Sequence, residues 1–204
     1  VSRDERTIAE LAGLWTPVYP YLAEHLLAAS GVTGGRLLEL GPFAGGIALH
    51  VLWRSEAFLA TVLAEEEAPL RWVEERAAEG GYVSRLTTRR MPLDPLPEPS
   101  ASFDLVALRG AFFLLTPSLL REVARVLRPG GFAWVGGGYG PATPASVIAP
   151  IADRSRELNA ALGKRRVTRG DAERLAAEAG LAGRSTVREE GGLWIEVRGI
   201  EVRP

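Results

Sequence analysis

Hydrophobic positions along this chain fall into two alternating kinds of run. Residues 36–40, 58–64, 103–108 and 132–135 are short, nearly continuous apolar stretches bounded by glycine, proline or charge, which predicts buried strands. Residues 82–87 form a weaker stretch of the same kind, followed by a proline-rich loop over 91–97. Between these runs the apolar spacing is helical. Residues 46–54 are apolar nearly throughout, which predicts a buried helix. Pro69 suits the first turn of a helix that packs Leu70 and Val73 and stops at Gly80. Thr116-Pro117 supplies a cap and a first helical position for a helix to about Leu127, ended by Arg128-Pro129-Gly130-Gly131.

The two ends of the chain extend this pattern. In residues 1–30, Ile8, Leu11, Ala12 and Leu14 make one apolar face, Pro17 and Pro20 break it, and a second helix runs over about 21–29 before Gly31. Residues 144–162 have helical spacing up to Gly163. Thr168, with Asp171 three positions on, opens a helix that Gly180 ends. Residues 185–189 and 193–198 predict two strands joined at Gly191-Gly192. Strands alternating with helices predict an α/β domain, with no repeat, linker or second domain.

The run Glu39-Leu40-Gly41-Pro42-Phe43-Ala44-Gly45-Gly46 joins the first strand to the next helix. Glycines there permit a sharp turn or close approach of a ligand, and the helix start presents free N–H groups. This turn resembles the first motif of class I S-adenosylmethionine-dependent methyltransferases, with Phe43 where that family has a further glycine. The resemblance is carried further by MPLDPLPEPSASFDLVALRGAFFLL and LLREVARVLRPGGFAWVGG, which follow in the family's order.

The resemblance implies a Rossmann-like three-layer α/β/α sandwich. Its sheet is seven-stranded and mostly parallel, with a C-terminal antiparallel hairpin and N-terminal helices. Residues 1–204 are then a single domain: a helical lid at 1–30, a cofactor-binding core at 36–135, a helical insertion at 136–166, and a helix and hairpin at 167–204. The implied cofactor is S-adenosylmethionine, on Glu39, Gly41, Pro42, Phe43, Ala44 and Gly45. Glu66 or Glu65, about 20 residues past the turn, is placed for the ribose hydroxyls. Thr87 and Thr88 stand where the family has Asp-Ala beside adenine. Arg109 and Gly110 end the fourth strand beside the methionine part, and Arg109 can pair with a carboxylate there.

Methyl transfer from a sulfonium is an in-line displacement that rests on positioning and needs no protein nucleophile. If the acceptor must lose a proton, His25, Tyr19 and Tyr21 are the candidate bases, whereas His50 is read as packing. Arg109-Gly110-Ala111-Phe112 replaces the Asn/Asp-Pro-Pro-Tyr/Phe of members that methylate amide or base nitrogens, which leaves a small-molecule acceptor. Lys164, Arg165 and Arg166 form a basic run, either a solvated surface or a contact for an anionic substrate.

Composition changes this picture in a few places. The chain has no cysteine, so disulfides, thiolate metal sites and cysteine nucleophiles are excluded, and with them cytosine-carbon and arsenic methylation. Lys plus Arg at 24 against 25 acidic residues gives no electrostatic reason to expect nucleic acid. No apolar run is long enough for a bilayer and the first residues do not resemble a signal peptide, so the expectation is a cytoplasmic protein without a membrane partner. Three other readings stay open: a non-catalytic cofactor-binding domain, an aminopropyltransferase-like relative, and a nicotinamide-dependent oxidoreductase. The last misses the middle glycine of its fingerprint at Phe43, and the paired aspartates of the second are not found after the fourth strand.

Overall fold

The computed structural model describes residues 3–110, 112–163 and 166–200. Helix α1 (Arg3–Leu14) passes through a 3-10 turn at Thr16–Val18 into α2 (Tyr19–Ser30). The core then alternates β1 (Gly35–Leu40), α3 (Gly46–Arg54), β2 (Phe58–Ala64), α4 (Glu67–Gly80), β3 (Leu86–Arg90), β4 (Phe103–Arg109), α5 (Pro117–Val126) and β5 (Leu127–Gly138). Two further helices, α6 (Ala145–Ile148) and α7 (Ala152–Ala161), precede α8 (Arg169–Glu178) and the strands β6 (Ser185–Arg188) and β7 (Gly192–Arg198).

The seven strands lie in the order β3-β2-β1-β4-β5-β7-β6. Strands β1 to β5 are parallel, and β7 runs antiparallel to both β5 and β6. Both sheet faces are covered, as a parallel sheet of apolar strands requires. One face buries Leu37, Ala60, Leu105 and Trp134 under α2, α3 and α4. The other buries Leu38, Leu63, Val106 and Val135 under α5 and α8. Alternate residues of each strand thus feed opposite cores. Asp104 pins the bottom of the sheet by accepting from Arg36 N at 2.7 Å and Arg128 Nη1 at 2.9 Å.

Helix starts follow the local chemistry read from the sequence. Thr116 Oγ1 accepts from Leu119 N at 3.0 Å. Thr168 and Asp171 form a complete capping box on α8. Each such cap contributes about 1 kcal/mol.

Two expectations are corrected. The third strand lies at Leu86–Arg90 rather than 82–87, because Tyr82 N still bonds Ala77 O at the end of α4 and a 3-10 turn follows at Val83–Arg85. Arg85 anchors that turn by donating to the carbonyls of Ser55 and Leu52. The single helix expected at 144–162 is two, since Pro150 cannot continue a helix. Within residues 1–30, Val18, Tyr19, Leu22 and Leu26 are fully or almost fully buried, so α2 packs into the core. Ahead of it, α1 buries Leu11 in the same core and leads to Trp15, which stands against Phe43.

Candidate active site

The strand order reverses between β1 and β4, so their carboxyl ends open a crevice at the topological switch point. Leu40 pairs with Leu108 there, which sets the turn after β1 beside Arg109 and Gly110. Gly41 and Gly45 both hold left-handed φ, 103° and 112°, where a side chain would be strained. A Cβ at Gly45 would also come to 1.8 Å from Val73 Cγ2, so this glycine lets α4 approach the turn.

Glu39 is fully buried on β1. Its carboxyl group points back into the fold, accepting from Ile47 N at 3.3 Å and Ala48 N at 2.7 Å across the start of α3. Burial pushes its pKa up to about 7, opposed by the bonds to the helix N–H groups and by Arg109. Phe43 is 1% exposed. Its ring meets Trp15 edge-on with centroids 4.9 Å apart, and a Cβ at Gly110 would lie 3.0 Å from the Phe43 ring and 3.3 Å from Trp15. Phe43, Trp15 and Gly110 therefore fill the middle of the crevice.

Arg109 is 2% exposed. Its Nε and Nη2 donate to the Gly138 carbonyl at 3.3 and 3.1 Å, and the guanidinium carbon stands 4.0 Å from the Trp15 ring centroid. Nη1 is buried and has no hydrogen-bond partner among the described residues. Burial lowers the arginine's pKa from its ordinary value, while the Tyr19 hydroxyl, by charge and by hydrogen bonding to the guanidinium, and Glu39 and Tyr139, by charge, act in the opposite direction. An arginine keeps its charge under such conditions. The Tyr19 ring lies 5.4 Å from the same guanidinium, and burial raises its hydroxyl to a pKa of about 12. Trp15 is held by Nε1 donating to Ser155 Oγ at 2.9 Å, and Asn159 Nδ2 donates to the Ser155 carbonyl at 2.7 Å.

Two cavities flank this plug. A cavity of about 640 Å³ opens beside Arg109, between Trp15, Phe112 and Tyr139, with Ser155 and Asn159 of α7 on its far wall. A smaller one of about 170 Å³ lies between α1 and the turn, with Pro42, Ala44 and Glu66 on its walls and Trp72 behind.

The structure brings Tyr19, Glu39, Phe43, Arg109 and Gly110 to one crevice, with Glu66 at its β2 side. It does not bring the other candidates there. His25 packs 4.9 Å from Trp134 in a separate cavity with Arg188 and Glu196. Tyr21 lies with His50 and Trp53 in another. Thr88 donates to Glu74 of α4, and Thr87 pairs with Thr61; neither lines any of the four cavities. Glu65 is exposed, and its carbonyl accepts from Arg90 Nε at 2.9 Å. Ala111, Lys164 and Arg165 lie outside the described residues, and Arg166 is exposed. Ser155, Asn159 and Tyr139 escaped sequence reasoning. Their only signal was position in the loop and helices after the fifth strand, which gives no side-chain direction.

Comparison with known proteins agrees with this architecture. Residues 38–135 match the family model of a methyltransferase domain. No curated protein matches the sequence. Among solved structures, a protein of Methanococcus maripaludis provisionally named an S-adenosyl-L-methionine-dependent methyltransferase superposes with a TM-score of 0.81 at 19% identity, over 100% of this chain and 96% of its own. An S-adenosylmethionine-dependent methyltransferase from Aquifex aeolicus gives 0.65 at 15% identity, covering 93% and 96%. Geranyl diphosphate C-methyltransferase from Streptomyces coelicolor A3(2), solved with Mg2+, geranyl diphosphate and S-adenosyl-L-homocysteine, gives 0.64 at 15% identity, covering 89% and 78%. At these identities the likeness is one of fold.

Proposed function

We propose that this chain, whose residues 38–135 match the model of a methyltransferase domain, is a class I S-adenosylmethionine-dependent methyltransferase that transfers a methyl group to a small-molecule acceptor held in the cavity beside Arg109. The observation that carries this reading is the division of the switch-point crevice. Its β2 side carries the Glu66 carboxylate and the glycine turn, and its β5 side holds a cavity large enough for a second molecule.

The donor set fits the cofactor. Glu66 is available to accept from both ribose hydroxyls, the glycines of the turn let a ligand approach the main chain closely, and Gly110 keeps the β4 end free of a side chain. The space fits only in part, because the Trp15 and Phe43 rings lie between the two cavities. A ligand spanning the ends of β1 and β4 needs Trp15 to move, and with it α1. Among the residues first assigned to a lid, this narrower segment is the one we assign to that role.

When bound, the cofactor supplies a methyl group already activated on a sulfonium. The chain's own residues then have three tasks. Glu66 orients the nucleoside end. Trp15, Phe43 and Phe112 exclude water from the crevice. Arg109, fixed by the Gly138 carbonyl, orients the acceptor beside the β4 end, so that the two reactants are held in line. Tyr19, with a pKa of about 12, stays protonated near neutral pH and acts as a hydrogen-bonding group rather than a base.

A ligand that binds only the native state stabilises it by ~2.7 kcal/mol at a hundredfold excess over its dissociation constant. S-adenosylhomocysteine should therefore raise the melting temperature, and NADH should not. No response to the adenosyl compound in melting or calorimetry would sink the reading. The Phe43–Trp15 plug favours one second reading, a cofactor-binding domain that does not turn over. Binding of S-adenosylhomocysteine with no methyl transfer to any small molecule of a cell extract would select it.

A further inference from the structure

Arg109 poses a problem that the proposed function leaves open. Its guanidinium is 2% exposed, a Gly138 carbonyl takes Nε and Nη2, an indole covers one face, and Nη1 has no partner among the described residues. A buried charged donor left unpaired is costly, and such groups are ordinarily paired. The one carboxylate that acts on it from within the fold, Glu39, is committed to the N–H groups of Ile47 and Ala48. Resting on the reading above, we infer that the acceptor is a small carboxylic acid with a flat apolar body, whose carboxylate takes the open edge of Arg109.

The cavity beside Arg109 fits that description. Its walls near the guanidinium are Trp15, Phe112 and Tyr139, which suit an aromatic or unsaturated body. Arg109 is the only cation among the described residues that line this cavity, and its free edge matches one carboxylate. Arg109 lines this cavity and not the smaller one beside Glu66, which puts its charge on the acceptor side of the plug. The indole of Trp15, stacked at 4.0 Å, is the group that seals the guanidinium in the described structure. A carboxylate at the Nη1 edge bonds in the plane of the guanidinium and leaves the indole on its face.

The test uses matched pairs on the full chain, with and without saturating S-adenosylhomocysteine. Benzoate, cinnamate and indole-3-acetate are titrated calorimetrically against benzamide, cinnamamide and indole-3-acetamide. Geranyl diphosphate is run alongside. At least one acid should bind about tenfold to a hundredfold more tightly than its amide. Arg109→Gln should remove that preference, and Arg109→Lys, which keeps the charge, should retain part of it. The wild-type comparison stands even if the glutamine variant does not fold. The inference is overturned if no acid outbinds its amide, if geranyl diphosphate outbinds every acid, or if the preference survives in a folded Arg109→Gln. It is also overturned if Arg109→Gln weakens S-adenosylhomocysteine about tenfold or more but leaves its decarboxylated analogue unaffected, since the carboxylate would then be the cofactor's own. Failure of S-adenosylhomocysteine to bind the wild type refutes the proposed function instead, and the acid–amide comparison on the free protein still decides the role of Arg109.

Discussion

Replacing Glu39 by glutamine should make the stability of this protein much less sensitive to pH. The carboxyl is fully buried, and its folded-state pKa is raised from the ordinary 4.5 to about 7. Between those values the folded protein holds the proton and the unfolded chain has released it. A raised folded-state pKa gives stability that is fully present below about 4.5 and is lost as pH climbs through about 7. The interval is roughly 2.5 pH units, and at ~1.4 kcal/mol per unit it amounts to about 3 kcal/mol. Glutamine occupies nearly the same volume and keeps an oxygen for the Ala48 N–H, but does not titrate. Urea unfolding of both proteins, followed by circular dichroism from pH 4.5 to 8, isolates the effect, because all other titrating groups cancel in the difference. The wild type should lose about 3 kcal/mol relative to Glu39→Gln across that range. Parallel curves, or a wild type that gains stability with pH, would show that the N–H groups of α3 and the Arg109 charge outweigh burial. Glu39 would then be an ionised cap.

Other expectations follow from the crevice. Phe43→Ala removes a ring that is 1% exposed and should cost about 3–5 kcal/mol in thermal or urea unfolding. The same variant should bind S-adenosylhomocysteine at least as tightly as the wild type, because it opens the plug. Weaker binding in calorimetry would mean that the ring contacts the ligand instead. Glu66→Ala should weaken S-adenosylhomocysteine by roughly 1.5–3 kcal/mol through loss of a charge-assisted hydrogen bond, whereas Glu67→Ala, within the first turn of α4, should leave it unchanged. Equal affinities for the two variants would remove the ribose site from the end of β2.

The elements of this fold are legible in the sequence because local chemistry decides them. Apolar runs marked β1, β2 and β4, caps at Thr116 and Thr168 marked α5 and α8, and glycines marked the turn after β1. Each depends on residues a few positions apart. The strand over 132–135 grew to Leu127–Gly138 only because β4 and β7 pair along both its sides. The register of a sheet depends on neighbours far away in the chain. The same distinction runs through the site. The resemblance to the methyltransferase motifs marked Arg109, Phe43 and Glu66 as candidates and implied that they lie near one another. Nothing local told that the Glu39 carboxyl turns back to α3, or that Phe43 meets Trp15 from before β1. Nor could it show that Gly138 and Trp15 bury the Arg109 charge, with Ser155 of α7 holding the indole. Those are packing outcomes between segments up to 140 residues apart. A side chain's direction and its neighbours are fixed only when the whole core closes.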